Sequence, residues 1–398
     1  MIPRTLAPRL QQLAEDYPVV YLTGPRQSGK TTLARATFDS FKYFSLEDLQ
    51  TREEAREDPR GFLRRLEGSQ GAILDEVQRA PDLFSAIQGF VDDRRGGPLI
   101  LTGSQHFLLL EKISQSLAGR AAILELLPFS MAELCRRPAL SPADFEAGRF
   151  IEFENSTHGL DDLLFAGTFP AIYDRDLEPS TWLDGYIRTY VERDVRTISN
   201  IGDLDSFLRF LGLCAGRSGQ LINLSSLGAD AGIDQTTVRR WISILQASYV
   251  VDTLSPHFEN FSRRLVKSPK LYFTDTGLLC RLLGIRGPDD LRNHPLRGPI
   301  FETFVIGEFR KLYLHHGQRP PLYFWRDSNG REVDLVVDAG SRRIPIEIKS
   351  SETVSGSFLK GLDTYLELSG DPWGALVYGG SESYQRRGHW IRPWFACT

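Results

Sequence analysis

The sequence predicts an α/β protein in four parts. A parallel sheet with crossover helices spans residues 1–130 and a helical region 131–202; a small helix–turn–helix-like module covers 203–285 and a second α/β unit 286–398. Three observations predict this. Short apolar runs alternate with helical stretches in the first third, as in successive βαβ units. After Pro128 that alternation stops, and helical patterning punctuated by Pro138, Pro142 and Pro170 replaces it. The 398 residues also exceed one small module, at roughly 150 per domain.

The expected strands of the first part are 19–22, 42–46, 72–74, 99–102 and 123–126. Each reads as a nearly continuous apolar run, as parallel strands covered on both faces do. Farther on, 206–214, 224–229 and 235–247 read as helices, with Gly232 turning the chain and a β-rich run at 249–254. That order matches a winged helix–turn–helix. Residues 284–299, rich in Gly and Pro, read as a linker. The last hundred residues read helix, strand, strand, strand, helix, strand. No internal repeat or low-complexity segment is visible.

Composition excludes several classes. Against 51 Asp and Glu stand 47 Lys and Arg, a net charge of −4, so the chain is no histone-like polycation. Cys135, Cys214, Cys280 and Cys397 are scattered, which predicts reduced thiols in a cytoplasmic protein rather than disulfides or zinc ligands. No apolar run reaches the ~18 residues of a membrane span. The start, Met1-Ile2-Pro3-Arg4, leads into an amphipathic segment rather than a signal-peptide core.

Gly24-Pro25-Arg26-Gln27-Ser28-Gly29-Lys30-Thr31 fits G-x-x-x-x-G-K-S/T, follows an apolar strand and opens a helical stretch, as a P-loop must. Backbone N–H groups of such a loop cradle phosphate, helped by the helix N-terminus. Lys30 is expected at the β- and γ-phosphates and Thr31 on Mg²⁺, with Thr32 completing the nucleotide-binding stretch. Gly71-Ala72-Ile73-Leu74-Asp75-Glu76 is an apolar strand ending in two carboxylates. Asp75 would hold Mg²⁺, and Glu76 would polarise the attacking water. The strand ending Leu101-Thr102-Gly103-Ser104-Gln105, set beside the P-loop strand, would aim Thr102, Ser104 or Gln105 at the γ-phosphate. Arg120 closes Ser116-Leu117-Ala118-Gly119-Arg120, where it reads either as a surface arginine or as one reaching a neighbouring subunit's nucleotide.

These segments resemble the prokaryotic AAA-superfamily ATPases, including a family in which a C-terminal domain of unknown function follows the ATPase core. The resemblance extends through Tyr190-Val191-Glu192-Arg193-Asp194-Val195. It implies a doubly wound core, ATP and Mg²⁺ as ligands, and assembly into a homo-oligomer. Ser104-Gln105 stands where many AAA proteins place a sensor asparagine, and Arg193 is the candidate for a second sensor.

Toward the C-terminus, Asp334 is followed after twelve residues by Glu347-Ile348-Lys349, and Glu302 opens a helical stretch upstream. This resembles the PD-(D/E)xK, restriction-endonuclease-like nucleases. In that chemistry Asp334 and Glu347 would converge on Mg²⁺, with Glu302 contributing a further carboxylate and Lys349 orienting water or neutralising the phosphate. Residues i and i+2 of a strand share a face, which explains the Glu-x-Lys spacing. A solvated strand edge and an inactive nuclease-like fold are the competing readings.

Within 235–247, Asp234 is the expected N-cap, and Val238, Trp241, Ile242 and Leu245 the buried stripe. Gln235, Thr236, Arg239 and Arg240 then face outward, where groove contacts arise. Arg263, Arg264, Lys267 and Lys270 would add phosphate-binding charge, although winged helices also serve as protein-docking modules. His106, His158, His257, His294, His315 and His316 lack ligand spacing with Cys or Asp. Together these features predict an ATP-hydrolysing protein that couples nucleotide state to binding of DNA or RNA, with scission by the nuclease-like domain as the further expectation. The alternatives are a nucleotide-gated interaction protein whose nuclease-like domain only docks a partner, and a transcription regulator that uses the winged helix for duplex binding with a steep salt dependence.

Overall fold

The computed structural model describes residues 2–104, 116–153, 155–191, 204–257, 268–327 and 329–398. The chain divides into two compact units: 1–129 with 314–318, and 130–313 with 319–398.

The first unit is built on five parallel strands: β1 (Val19–Thr23), β2 (Lys42–Ser45), β3 (Ala72–Asp75), β4 (Leu99–Gly103) and β5 (Ala121–Glu125). Their order across the sheet is β2-β3-β4-β1-β5. β1 pairs in register with β4 on one side (Val19 with Leu99) and β5 on the other (Val19 with Ala121). The polypeptide alternates along β1. Val20 and Leu22 face α1 (Ala7–Asp16) and α2 (Lys30–Thr37), packing with Leu10, Leu13, Leu33 and Ala34. Val19 and Tyr21 face the opposite layer, with Phe62 and Leu63 of α4 (Pro59–Arg64) and Phe84 and Ile87 of α5 (Leu83–Asp92). Between them α3 (Leu49–Glu57) is capped by Asp48, which accepts from Thr51 N. Helices thus cover both faces, and the carboxyl ends of the strands carry the loops singled out above.

The second unit begins with short helices at Met131–Leu134, Pro142–Glu146, Leu160–Ala166, Pro170–Asp174 and Pro179–Tyr186. Three helices follow: α6 (Leu204–Ala215), α7 (Leu224–Ala231) and α8 (Gln235–Ala247). Asp234 caps α8, accepting from Thr236 N and Thr237 N at 2.9 and 3.0 Å. Val238, Trp241, Ile242 and Leu245 are buried, and Trp241 meets Phe207 and Phe210 edge-on at 5.3 Å.

β6 (Val251–Pro256) and β7 (Lys270–Phe273) are antiparallel. They also form one end of an eight-stranded mixed sheet ordered β12-β13-β11-β10-β9-β8-β6-β7. Its other strands are β8 (Leu322–Arg326), β9 (Glu332–Asp338), β10 (Arg343–Lys349), β11 (Ala375–Tyr378), β12 (Tyr384–Arg386) and β13 (His389–Pro393). The expected boundary near residue 285 therefore falls within a unit whose sheet runs across it. The expected linker at 284–299 instead holds a helix, Pro288–Arg292, and the start of α9 (Arg297–Leu314). The hairpin β12–β13 is an addition to the strands read from the sequence. α10 (Lys360–Ser369) follows β10, and its Leu362 and Tyr365 pack with Val333 and Val336 of β9 and Leu376 of β11. Among the described residues, no helix is long and apolar enough to cross a membrane. Cys135, Cys214, Cys280 and Cys397 are all free thiols.

Candidate functional site

The loop between β1 and α2 needs left-handed backbone at Gln27 (φ 63°) and at Gly29 (φ 92°), the residue that precedes α2. Gly24 lies so close to the β5 exit that a Cβ there would stand 2.2 Å from the Leu126 carbonyl oxygen. Close backbone approach and a φ of 143° both require this glycine. Lys30 is buried with its ammonium turned into the loop, donating to the carbonyls of Gly24 (3.0 Å) and Pro25 (2.7 Å).

Thr31 on α2 and Asp75 at the end of β3 are brought together: the Thr31 hydroxyl donates to Asp75 Oδ1 at 2.7 Å. Tyr43 of β2 donates to Asp75 Oδ2 at 2.9 Å, and Thr102 of β4 donates to Oδ1. Thr102 therefore serves the Asp75 carboxylate. Burial, then the charge of Asp75, pushes the Tyr43 phenol up to about 12. Tyr43 carried no motif signal; only the β2–β3 pairing puts it there.

Glu76 has φ 56°, left-handed for a residue with a side chain, and its N–H donates to Thr102 Oγ1 at 3.2 Å. Such backbone persists only where neighbours hold it, and it recurs at functional sites. Burial pushes the Glu76 carboxyl above the ordinary glutamate range, while Lys30 and Arg26 pull it back. Gln78 bridges Glu76 Oε2 and the buried Ser104 hydroxyl, the latter at 3.4 Å. Gln105, His106 and Arg193 lie outside the described residues. Arg120 is engaged by Asp92 of its own unit, at 2.5 and 2.9 Å.

A second polar cluster forms where β7, α9, β9 and β10 meet. Asp334 Oδ2 accepts from Ile348 N (2.9 Å) and from Lys349 Nζ (3.1 Å), and Lys349 also lies 2.6 Å from Glu347 Oε1. Lys270 pairs with Glu302 Oε1 at 3.2 Å and with Glu332, and Tyr272 donates to the same Glu302 oxygen. Burial and then Asp334 push the Glu302 carboxyl up to about 7 and the Glu347 carboxyl to about 8. Burial alone would lower the Lys270 ammonium, but Glu302, Asp334 and Glu332 hold it above its usual value. Asp334, Glu347 and Lys349 therefore sit together, and Glu302 feels them.

Lys270 corrects the sequence reading. It is 3% exposed and spends its charge on two glutamates, so it offers no phosphate contact at the surface. Its apolar neighbours in the pattern Lys270-Leu-Tyr-Phe gave no warning, because the acids that neutralise it are more than 30 residues away. Glu332 and Tyr272 are members of the cluster that the motif did not reveal.

Glu347 Oε2 is buried without a hydrogen-bond partner, as an oxygen awaiting a cation would be. Yet among the described residues no three His, Cys, Asp or Glu side chains gather as a metal-holding set. Lysines stand among these acids instead: Lys349 lies between Asp334 and Glu347, and Lys270 between Glu302 and Glu332. Arg239 and Arg240 are exposed on α8, whereas Arg263, Arg264 and Lys267 lie outside the described residues.

Family models match three stretches: an AAA domain at residues 16–135, and domains of unknown function at 157–289 (DUF8612) and 297–396 (DUF4143). The chain thus carries a P-loop AAA domain. Two mycobacterial sequences, uncharacterized protein Rv2008c of Mycobacterium tuberculosis and uncharacterized protein Mb2031c of Mycobacterium bovis, are each 34% identical over 358 residues. Each alignment covers 88% of this chain and 75% of the relative. Among solved structures, the Walker-type ATPase PABY2304 of Pyrococcus abyssi aligns with TM-score 0.46 at 15% identity, over 69% of this chain and 94% of that one. The RuvB Holliday junction branch migration motor of Thermotoga maritima aligns with TM-score 0.33 at 19% identity, over 63% and 89%.

Proposed function

We propose that this chain, which belongs to the family of the mycobacterial proteins Rv2008c and Mb2031c and carries their kind of sequence over most of its length, binds and hydrolyses ATP with Mg²⁺ at the β1–α2 loop. The hydrogen bond between Thr31 and Asp75 carries the proposal, because it unites the two side chains expected at the metal next to the Lys30 loop. Thr31 and Asp75 would hold Mg²⁺, which neutralises charge on the phosphate oxygens. Gly24 to Thr32 supply the loop around the phosphates, and Lys30 leaves its two loop carbonyls for phosphate oxygens. Glu76 accepts the proton of the attacking water, and burial gives its carboxylate a higher affinity for protons than an ordinary glutamate has. Ser104, through Gln78, steadies the Glu76 carboxylate. Arg120 acts across to a neighbouring copy only by leaving Asp92, and an exposed pair of this kind holds weakly.

The same proposal gives the second unit a nucleic-acid role. α6, α7, α8 and the β6–β7 pair make a winged helix, with Arg239 and Arg240 presented to a phosphate backbone. Glu302, Asp334, Glu347 and Lys349 make a nuclease-like site in which Asp334 and Glu347 would hold Mg²⁺. A second reading is a docking domain that cleaves nothing. It is favoured by the two lysines lying between the carboxylates, which compete with any divalent cation.

The test measures ATP binding, ATP turnover and strand scission, with and without DNA or RNA, in the wild type, Lys30→Ala and Glu347→Ala. Lys30→Ala should lose nucleotide binding, and wild-type-like hydrolysis by that variant would remove the loop from the mechanism. Scission that disappears in Glu347→Ala supports the nuclease; its absence from the wild type with Mg²⁺ or Mn²⁺ leaves the docking domain.

A further inference from the structure

Arg4 lies twenty residues before the phosphate loop and belongs to no motif. It is 9% exposed, and its guanidinium reaches two backbone carbonyls of the first unit. Nη1 donates to the Ser28 carbonyl at 2.7 Å and Nη2 to the Leu127 carbonyl at 2.6 Å. The Phe129 ring lies beneath the charge, 4.9 Å from its centroid. Burying a permanent cation is costly unless its donors are used, and here two of them are spent on backbone oxygens.

The choice of Ser28 matters because of the peptide that follows. A trans peptide is planar, so its C=O and N–H point in opposite directions. Fixing the Ser28 carbonyl on Arg4 therefore fixes the Gly29 N–H on the opposite side. Gly29 immediately precedes α2 and has φ 92°, so its amide belongs to the group of N–H donors that a helix start leaves for an anion. The second donor of the same guanidinium holds Leu127, one residue past the Leu126 carbonyl against which Gly24 is packed. One side chain thus ties both ends of the phosphate loop's support.

We propose that Arg4 is a positioning residue of the nucleotide site: it holds the Ser28–Gly29 peptide so that the Gly29 N–H faces a bound phosphate. This rests on the ATP reading above. Arg4 touches no phosphate itself; it acts through the loop backbone. Because the amide contacts phosphate before and during hydrolysis, its loss weakens ATP binding more than it slows turnover.

The test compares the full-length wild type, Arg4→Ala, Arg4→Lys and Lys30→Ala. ATP and ADP affinities are measured by calorimetry, KM and kcat by phosphate release, and unfolding midpoints without nucleotide. Arg4→Ala should weaken ATP and ADP about tenfold, as expected when hydrogen bonds from a charged donor are lost. Its kcat should change less than its KM. Arg4→Lys, whose single ammonium can serve one carbonyl well, should recover part of the affinity. Wild-type affinity in Arg4→Ala, or a lowered midpoint with unchanged affinity in the folded protein, would overturn the proposal. Should Arg4→Ala not fold, Arg4→Lys decides: intermediate affinity supports the positioning role and wild-type affinity refutes it. If the wild type binds ATP no better than Lys30→Ala, the nucleotide reading itself fails, which is a distinct result.

Discussion

Glu76 shows how much one backbone position can carry. Its left-handed φ and its N–H bond to Thr102 aim the carboxylate, and burial makes that carboxylate hold its proton more tightly than an ordinary glutamate. If it is the base, turnover should rise with pH as Glu76 loses its proton, with the acidic limb of kcat above the usual glutamate range. Glu76→Gln should keep ATP bound and cut kcat by about two to three orders of magnitude. Removal of the acidic limb in that variant would be read from a pH–rate profile. An unchanged kcat would move water activation to another group. The Asp75–Glu76 pair was legible in the sequence because both residues adjoin one apolar strand. Tyr43 was not, and Thr102 was legible as a site residue but not as a partner of Asp75, since both come from strands paired on either side of it.

Among the elements, α8 divides cleanly into a packed and an open face. Trp241 is 4% exposed between Phe207 and Phe210 of α6, so Trp241→Ala should destabilise the module by about 3–5 kcal/mol. Chemical denaturation followed by circular dichroism would show it. Arg239→Ala and Arg240→Ala alter exposed positions and should leave stability unchanged. If α8 meets a phosphate backbone, each should weaken duplex binding and lower the salt slope by about 1. A slope equal to that of the wild type would assign the helix to a protein partner. The helical period made this face readable in advance, because i, i+3 and i+4 positions share one side of a helix whatever it packs against. The run at 249–254 was readable as a strand, but neither its partner β7 nor its membership of a larger sheet was.

Across the molecule, the carboxylate cluster draws on residues 270–272, 302, 332–334 and 347–349, from four separate elements. Glu347 has a proton affinity raised to about 8 from the ordinary 4.5. A carboxyl whose folded value is raised contributes its stability fully below the unfolded value and loses it as pH climbs through the folded one. Between about pH 4.5 and 8, then, ionising Glu347 should cost stability. Glu347→Gln, uncharged at every pH, should gain on the wild type as pH rises through this window. Unfolding midpoints at pH 5 and 8.5 in EDTA would report it, and a constant difference would show that Lys349 fully compensates the charge. Added Mn²⁺ should reverse the ordering if the wild-type cluster takes a metal.

Local chemistry was fixed by the order of the amino acids. A loop of Gly24, Gly29, Lys30 and Thr31 behind an apolar strand has few other uses, and the i, i+2 spacing of Glu347 and Lys349 puts them on one face of any strand. Long-range pairing was decided only by folding. It buried Lys270 among acids, carried one sheet across an expected boundary, and set Arg4 against the phosphate loop. The physical reason is the same in each case. Period and motif describe what neighbours in the chain share, whereas a buried charge finds its partner through whichever strands and helices the tertiary fold brings within a few ångströms.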